Sequence, residues 1–245
     1  MKKIIELAVV AALVFGIAGC SNPGSSPESE KPDYIKCVVG DFILRDGTIL
    51  SKDETPESGT VAAVIVRAAA DGKPALGVGI VLNKDGLRWC TKDASGCQIK
   101  ISDLVGDETS GYMDGSNSWE LLVKNCTDLK TATSETIETV AEKYPAFNYC
   151  RKYAATNGLT GDLANGWYLP TVAELSTIYQ NKTVVETSLT KAGGSDFGIS
   201  WYYWSCCQDP SNNDHAWGWV SITVERCEYY KYYDAGNVCS VRAFN

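Results

Sequence analysis

The chain reads as an α+β fold: strands, then helices, then strands again. Three observations predict this order. Between Val38 and Trp89, β-branched and apolar runs are separated by turn dipeptides, the pattern of short antiparallel strands. From Ser118 to Ala155 apolar residues recur every three or four positions, and Thr171 followed by Glu174 forms a capping box before Leu175 and Ile178, so this middle part is helical. The last fifty residues hold four of the seven tryptophans and six of the thirteen tyrosines but few helix formers, predicting a second strand region.

Lys2 and Lys3 form a basic start, Leu7 to Ile17 is apolar but too short to span a bilayer, and Ala18 and Gly19 precede Cys20. That order is the grammar of a secretory signal. Ile17-Ala18-Gly19-Cys20 resembles the lipobox of bacterial lipoproteins, which implies cleavage before Cys20 and acylation of its sulfur. Each buried methylene of such an anchor contributes about 0.8 kcal/mol. Ser21 to Pro32 follows, rich in proline and serine with nothing to bury, so it is expected to be a flexible tether. The expected organisation is therefore a signal peptide at 1–19, a lipidated cysteine and tether at 20–35, and one domain at 36–245. It places an exported, N-terminally lipidated protein at the outer membrane and cell surface.

The full chain carries a net charge of −8, and loss of the signal makes it one unit more negative. An acidic chain is unsuited to nucleic acid, whose phosphates require a basic surface. Ten cysteines in an exported protein predict disulfides. With Cys20 lipidated, the remaining odd number leaves at least one unpaired. Connectivity stays open at this point; the leading candidates are Cys90 with Cys97, across a short loop, and Cys206 with Cys239, between late strands. Cys206 and Cys207 are adjacent, so on a strand they should face opposite sides, one structural and one exposed.

Within the first strand region, Asp46-Gly47 and Asp85-Gly86 are expected turns. Gly77 and Gly79 are strand-packing glycines, because no third glycine and no helix follow to make a phosphate loop. Pro145 interrupts the first helical stretch, and Gly193-Gly194 ends the helical region.

The chemistry of the chain is restrictive. With a single histidine, His215, two-histidine zinc motifs are excluded and no metal site is expected. No glycine-flanked serine elbow accompanies His215, so no catalytic residue is assigned and the protein is expected not to be an enzyme. No cofactor is implied. What the sequence offers is a concentration of tyrosine with small polar residues, as in Tyr229-Tyr230-Lys231-Tyr232-Tyr233-Asp234. Tyrosine supplies contact area at low entropic cost and short polar residues adapt their hydrogen bonds, which is the chemistry of a binding face. Trp201, Trp204 and Trp217 are expected to fill the core.

Gly166-Trp167-Tyr168-Leu169-Pro170-Thr171-Val172-Ala173-Glu174-Leu175 resembles the G-W-x-L-P-T-x-x-E-L signature of lectin-like domains in the formylglycine-generating-enzyme branch of the C-type lectin fold. Tyr203-Trp204-Ser205, Ala216-Trp217 and Val241-Arg242-Ala243-Phe244 resemble the blocks that follow it. The resemblance runs from about Lys124 to Asn245, and it implies a C-type lectin fold of antiparallel strands with two helices. Within that branch the chain is most similar to the variable proteins of diversity-generating retroelements, in particular the TvpA-like treponemal variable surface lipoproteins.

That resemblance implies a receptor or adhesin whose face at about 200–245 is rewritten by adenine-directed mutagenesis to bind a protein or glycan of a host or neighbouring microbe. Carried over by position, its ligand-binding residues are Asp209, Pro210, Ser211, Asn213, Asp214 and His215 in a first group. Ser221, Thr223, Arg226, Tyr229, Tyr230, Tyr232, Tyr233, Asp234 and Ala235 form the second. Trp217, Trp219, Glu225, Glu228 and Lys231 are not products of adenine substitution in asparagine codons, so they are expected to be scaffold or fixed neighbours. Asn212-Asn213-Asp214 lacks the tryptophan and the E-P-N partner of calcium-dependent lectins, so calcium binding is not implied. The competing expectations are a static lectin-like envelope lipoprotein with one fixed ligand, and an enzyme on the formylglycine-generating-like fold.

Overall fold

The first sheet is assembled from both ends of the chain, which is what joins the early strands to the closing Val-Arg-Ala-Phe block. A computed structural model describes residues 34–198, 202–234 and 236–245; Cys20, the signal and most of the tether, Trp201 and Ala235 lie outside them. Tyr34, at the start of the described residues, donates its hydroxyl to the Gly72 carbonyl at 2.6 Å.

In this sheet β1 (Phe42–Leu44), β2 (Ile49–Leu50), β3 (Val61–Arg67), β4 (Ala75–Gly79) and β10 (Val241–Phe244) run in the order β10-β4-β3-β1-β2, all antiparallel. Asp46 makes the expected turn, its carboxylate accepting from the Thr48 N–H at 2.9 Å, with Gly47 at φ 85°. β3 reads Val-Ala-Ala-Val-Ile-Val with every one of these residues buried, because both of its faces are covered. Gly77 and Gly79 are packing positions as expected. A Cβ on Gly77 would come within 2.7 Å of the Phe244 ring, and one on Gly79 within 2.3 Å of Tyr153.

The second sheet contains β5 (Asn83–Leu87), β6 (Tyr203–Gln208), β7 (His215–Val220), β8 (Glu225–Tyr230) and β9 (Gly236–Val238), in the order β5-β9-β6-β7-β8. Two expectations are corrected here. Asp85-Gly86 is no turn between strands: it sits inside β5, where the pairing with β9 shifts register and Gly86 takes φ 76°, as in a β-bulge. The strands are also not all antiparallel. β9 arrives after the β7–β8 hairpin and lies parallel to β6, with Tyr203 opposite Asn237.

Between β5 and β6 in sequence come six α-helices among the described residues rather than two: α1 (Ser118–Asn125), α2 (Thr127–Lys130), α3 (Ile137–Ala141), α4 (Pro145–Thr156), α5 (Val172–Gln180) and α6 (Lys182–Lys191). The periodic stretch is cut where local backbone leaves the helical region. Cys126 is extended, with ψ 122°, between α1 and α2, and Pro145 opens α4 at its first turn, where its missing N–H is not needed. α5 begins with the expected capping box. Thr171 Oγ1 accepts from the Glu174 N–H at 3.1 Å and the Glu174 carboxylate accepts from the Thr171 N–H at 2.8 Å. α6 ends at Lys191, just before Gly193-Gly194.

The Gly-Trp-Tyr-Leu-Pro-Thr segment joins the two sheets. Tyr168 exchanges backbone hydrogen bonds with Val241 of β10 at 2.9 and 3.0 Å, and the Pro170 carbonyl accepts from the Cys206 N–H of β6 at 2.8 Å. A single apolar cluster runs through both sheets and the helices, from Phe42 and Val64 through Trp89, Leu122, Phe147 and Leu175 to Trp204 and Val241. No helix among the described residues is long and apolar enough to cross a membrane.

Candidate recognition face

β8 is the edge strand of the second sheet, so the β7–β8 hairpin carries side chains toward solvent that a central strand would bury. Its register sets His215 opposite Tyr230, Trp217 opposite Glu228 and Trp219 opposite Arg226. These six share one side of the hairpin, since alternate residues of a strand face alike. Tyr229 therefore points to the other side. There it stacks on Tyr202 with centroids 3.9 Å apart, over Gly218, where a Cβ would fall 2.7 Å from the Tyr202 ring.

At the His215 end, four aromatic rings form one cluster. His215 lies 4.1 Å from Tyr230, Tyr230 lies 5.2 Å from Tyr232 and 5.4 Å from Tyr233, and Tyr232 lies 5.7 Å from Tyr233. His215, Tyr230 and Tyr232 are half-buried and Tyr233 is 49% exposed. Lys92 stands over the Tyr232 ring at 5.3 Å, and the Asp214 carboxylate meets His215 Nδ1 at 2.8 Å. These rings combine an apolar face with a polar tip on a half-open surface, the composition that hydrogen-bonds and stacks at the same time.

Lys231, in the middle of the tyrosine run, is fully buried and holds this cluster in place. Its ammonium donates to the carbonyls of Gly96 at 2.9 Å, Ile99 at 3.1 Å and Asn213, and lies 5.0 Å from the Trp89 ring. Its backbone is bonded on both sides, the N–H to Asp214 and the carbonyl from the Cys90 N–H at 3.1 Å. Five hydrogen bonds thus fix one residue between segment 90–99, the 209–214 loop and the tyrosines. Burial pushes its pKa down to about 8. The sequence marked Lys231 as scaffold or a fixed neighbour; its one signal was a charge flanked on both sides by tyrosine pairs.

The predicted binding residues divide. Pro210, Ser211 and Asn213 are exposed and Asp214 is half-buried, next to the aromatic cluster in sequence and space. Asp209 is instead buried: it organises the loop by accepting from the Ser211 N–H at 2.7 Å and the Asn212 amide at 3.1 Å. Burial opposes its ionisation, but hydrogen bonds from Glu228, Ser211 and Asn212 outweigh it and hold its pKa below the usual carboxylate range. The shared proton raises Glu228 in turn. Asp234 is exposed and pairs with Arg88 at 3.1 Å.

Ser221 and Thr223 are not brought to this cluster. They sit at the far tip of the hairpin, about 17 Å away at the rise of a β-strand, with Ser221 buried and Thr223 exposed. The tip also presents Ile222 and Val224, 65% and 50% exposed. Arg226 lies between: its guanidinium stacks 4.6 Å above Trp217 and pairs with Glu108 at 2.8 Å. Trp219 packs inward, 6.0 Å from Tyr179 of α5.

No disulfide joins any of the nine described cysteines in this structure. Cys206 and Cys207 are both fully buried, correcting the expectation that one is exposed, because β6 is a central strand covered on both faces. For the expected pairing of Cys206 with Cys239, each thiol has a different cysteine beside it. Cys206 has the Cys207 thiol as its neighbour and Cys239 has Cys150 of α4, since α4 packs against β9. Cys90 and Cys97 lie side by side, each the other's neighbouring thiol. Among the described residues no three His, Cys, Asp or Glu side chains converge to hold a metal ion.

The chain matches no protein-family model and no curated protein sequence. Among solved structures it is similar to a fimbrial protein from Bacteroides ovatus, with a TM-score of 0.59 at 14% identity. The match covers 85% of this chain but 49% of that protein. At that identity the two share a fold, a mixed α and β arrangement on two sheets.

Proposed function

We propose that this chain is a non-enzymatic recognition module displayed on the cell surface, an adhesin-like protein that grips a protein or glycan ligand with the cluster His215, Tyr230, Tyr232 and Tyr233. The observation that carries this reading is the buried Lys231 holding half-exposed aromatic rings in one fixed arrangement. A pre-set aromatic surface loses little entropy on binding, and aromatic side chains dominate binding energy at interfaces. The fold shared with a fimbrial protein agrees with surface display. The lipobox-like start supplies an anchor through an acylated Cys20, which would make the protein an outer-membrane lipoprotein.

The test is binding of the exported protein to arrays of glycans and extracellular proteins. A ligand found there should lose at least about tenfold affinity, or 1.4 kcal/mol, with Tyr230→Ala and again with Tyr233→Ala, at unchanged circular dichroism. Undiminished binding by the double variant would remove the aromatic cluster as the contact surface.

The finer reading is a C-type-lectin-type variable protein of a diversity-generating retroelement, with Pro210, Ser211, Asn213, Asp214, His215, Tyr230, Tyr232, Tyr233 and Asp234 as the rewritten contacts. What supports it is that these residues flank the aromatic cluster on exposed or half-exposed backbone. Gene sequences from many isolates should differ mainly at these codons, beside a near-copy of the segment and a reverse-transcriptase gene. Differences spread evenly along the chain would leave a surface protein with one fixed ligand.

A further inference from the structure

We propose that Cys90 and Cys97 are a disulfide-forming pair, closed by exchange with an external disulfide, and that their closure locks the floor on which the aromatic cluster stands. Three features of the fold lead to this site. Consecutive turns, with the Ala94 N–H on Thr91 at 3.1 Å and the Cys97 N–H on Ala94 at 3.0 Å, fold the segment back and bring the Cys97 side chain beside that of Cys90. Lys231 then grips the carbonyls of Gly96 and Ile99, on either side of Cys97. Finally, the Cys90 N–H donates to the Lys231 carbonyl, so both cysteines are fixed by the residue that also holds Asn213.

The local charge selects the attacking sulfur. The hydrogen bond from Cys90 and the nearby ammonium pull the Cys97 thiol down to about 7, against the opposing effect of burial. Cys126, the third thiol nearby, is pushed up to about 11 by burial, and so remains protonated. A thiolate is the nucleophile in disulfide exchange. Cys97 thiolate attacks one sulfur of a disulfide such as oxidised glutathione and expels one thiolate, giving a mixed disulfide. Cys90 then gives up its proton and attacks the Cys97 sulfur, expelling the second thiolate. One S–S bond forms in the protein, and the external disulfide is reduced to two thiols. Because both cysteines are buried once folding is complete, the exchange runs late in folding, after the turns and the Lys231 contacts have formed but before the surface over them closes. The pairing itself does not depend on the proposed recognition function; only the locking of a ligand face rests on that reading.

Trypsin cuts after Arg88, Lys92 and Lys100, which places Cys90 and Cys97 on separate peptides. The full chain, folded in a mixture of reduced and oxidised glutathione, alkylated at low pH and digested without reduction, should yield these two peptides joined, with the Cys126 peptide alkylated. Recovery of the Cys90 and Cys97 peptides alkylated and separate, or of Cys97 joined to Cys126, would overturn the pairing. The bridged protein should also melt about 5 °C or more above the same protein after reduction, a shift the Cys90→Ser/Cys97→Ser variant lacks. A bridge that forms without this shift would overturn the locking. Neither measurement uses a ligand, so either result stands whatever the binding arrays give.

Discussion

Lys231 shows how one residue can set a surface it does not itself reach. Replacing its ammonium with the apolar end of methionine leaves the carbonyls of Gly96, Ile99 and Asn213 buried without a donor. Lys231→Met should therefore cost about 1–3 kcal/mol and lower Tm by roughly 3–10 °C, measured by circular dichroism. The same residue predicts a pH dependence. Its folded-state pKa of about 8 lies below the ordinary 10.5 because of burial. Between those values the unfolded chain holds a proton that the folded chain does not, so this group's contribution to stability rises as pH climbs from about 8 toward 10.5. Denaturant titrations across that window should show the stability gap between wild type and Lys231→Met widening with pH. A constant gap would mean that Lys231 titrates as an ordinary exposed lysine.

At the scale of elements, the β7–β8 hairpin and the start of α5 carry the sharpest local constraints. Val224 closes the hairpin turn at φ 57°, its N–H on the Val220 carbonyl at 3.0 Å, with half its surface exposed. A β-branched residue in the left-handed region costs about 1–2 kcal/mol, and little packing holds it there. Val224→Gly should raise Tm by about 2–4 °C; a lower Tm would mean that the valine makes contacts worth more than the strain. Glu174 is the opposite case. Its buried carboxylate accepts from Tyr168, Thr171 and Gly115 at 2.7, 2.8 and 3.3 Å, so Glu174→Ala orphans three donors and should cost roughly 3 kcal/mol. The capping box was legible because both of its residues lie within one helical turn. The Gly115 contact was not, since it depends on how a distant segment packs, and the Tyr168 contact depends on the extended path of the chain just before the cap.

For the whole molecule, one apolar cluster passes through both sheets, and the Tyr168–Val241 and Pro170–Cys206 bonds tie each sheet to the same connecting segment. The described part should unfold in a single transition, with far-ultraviolet and near-ultraviolet circular dichroism melting together. Two separated transitions would make the sheets independent folding units. The same architecture divides the predicted binding residues, because a hairpin of two six-residue strands has two ends. Neighbours in sequence such as Ser221 and Thr223 are carried away from the aromatic cluster, while Lys92 is carried to it.

Local patterns determined the order strands–helices–strands, the Asp46-Gly47 turn, the packing role of Gly77 and Gly79, and the aromatic character of the C-terminal region. Each follows from side-chain period, turn chemistry or capping within a few residues. Strand neighbours, the parallel run of β9 beside β6, the thiol neighbours of Cys206 and Cys239, and the burial of Lys231 were decided only by the tertiary structure. They depend on which backbone carbonyls and rings distant segments bring together, and no local pattern encodes that. That Lys231 is scaffold at the centre of the tyrosine run is decided by three carbonyls from two other loops closing around its ammonium.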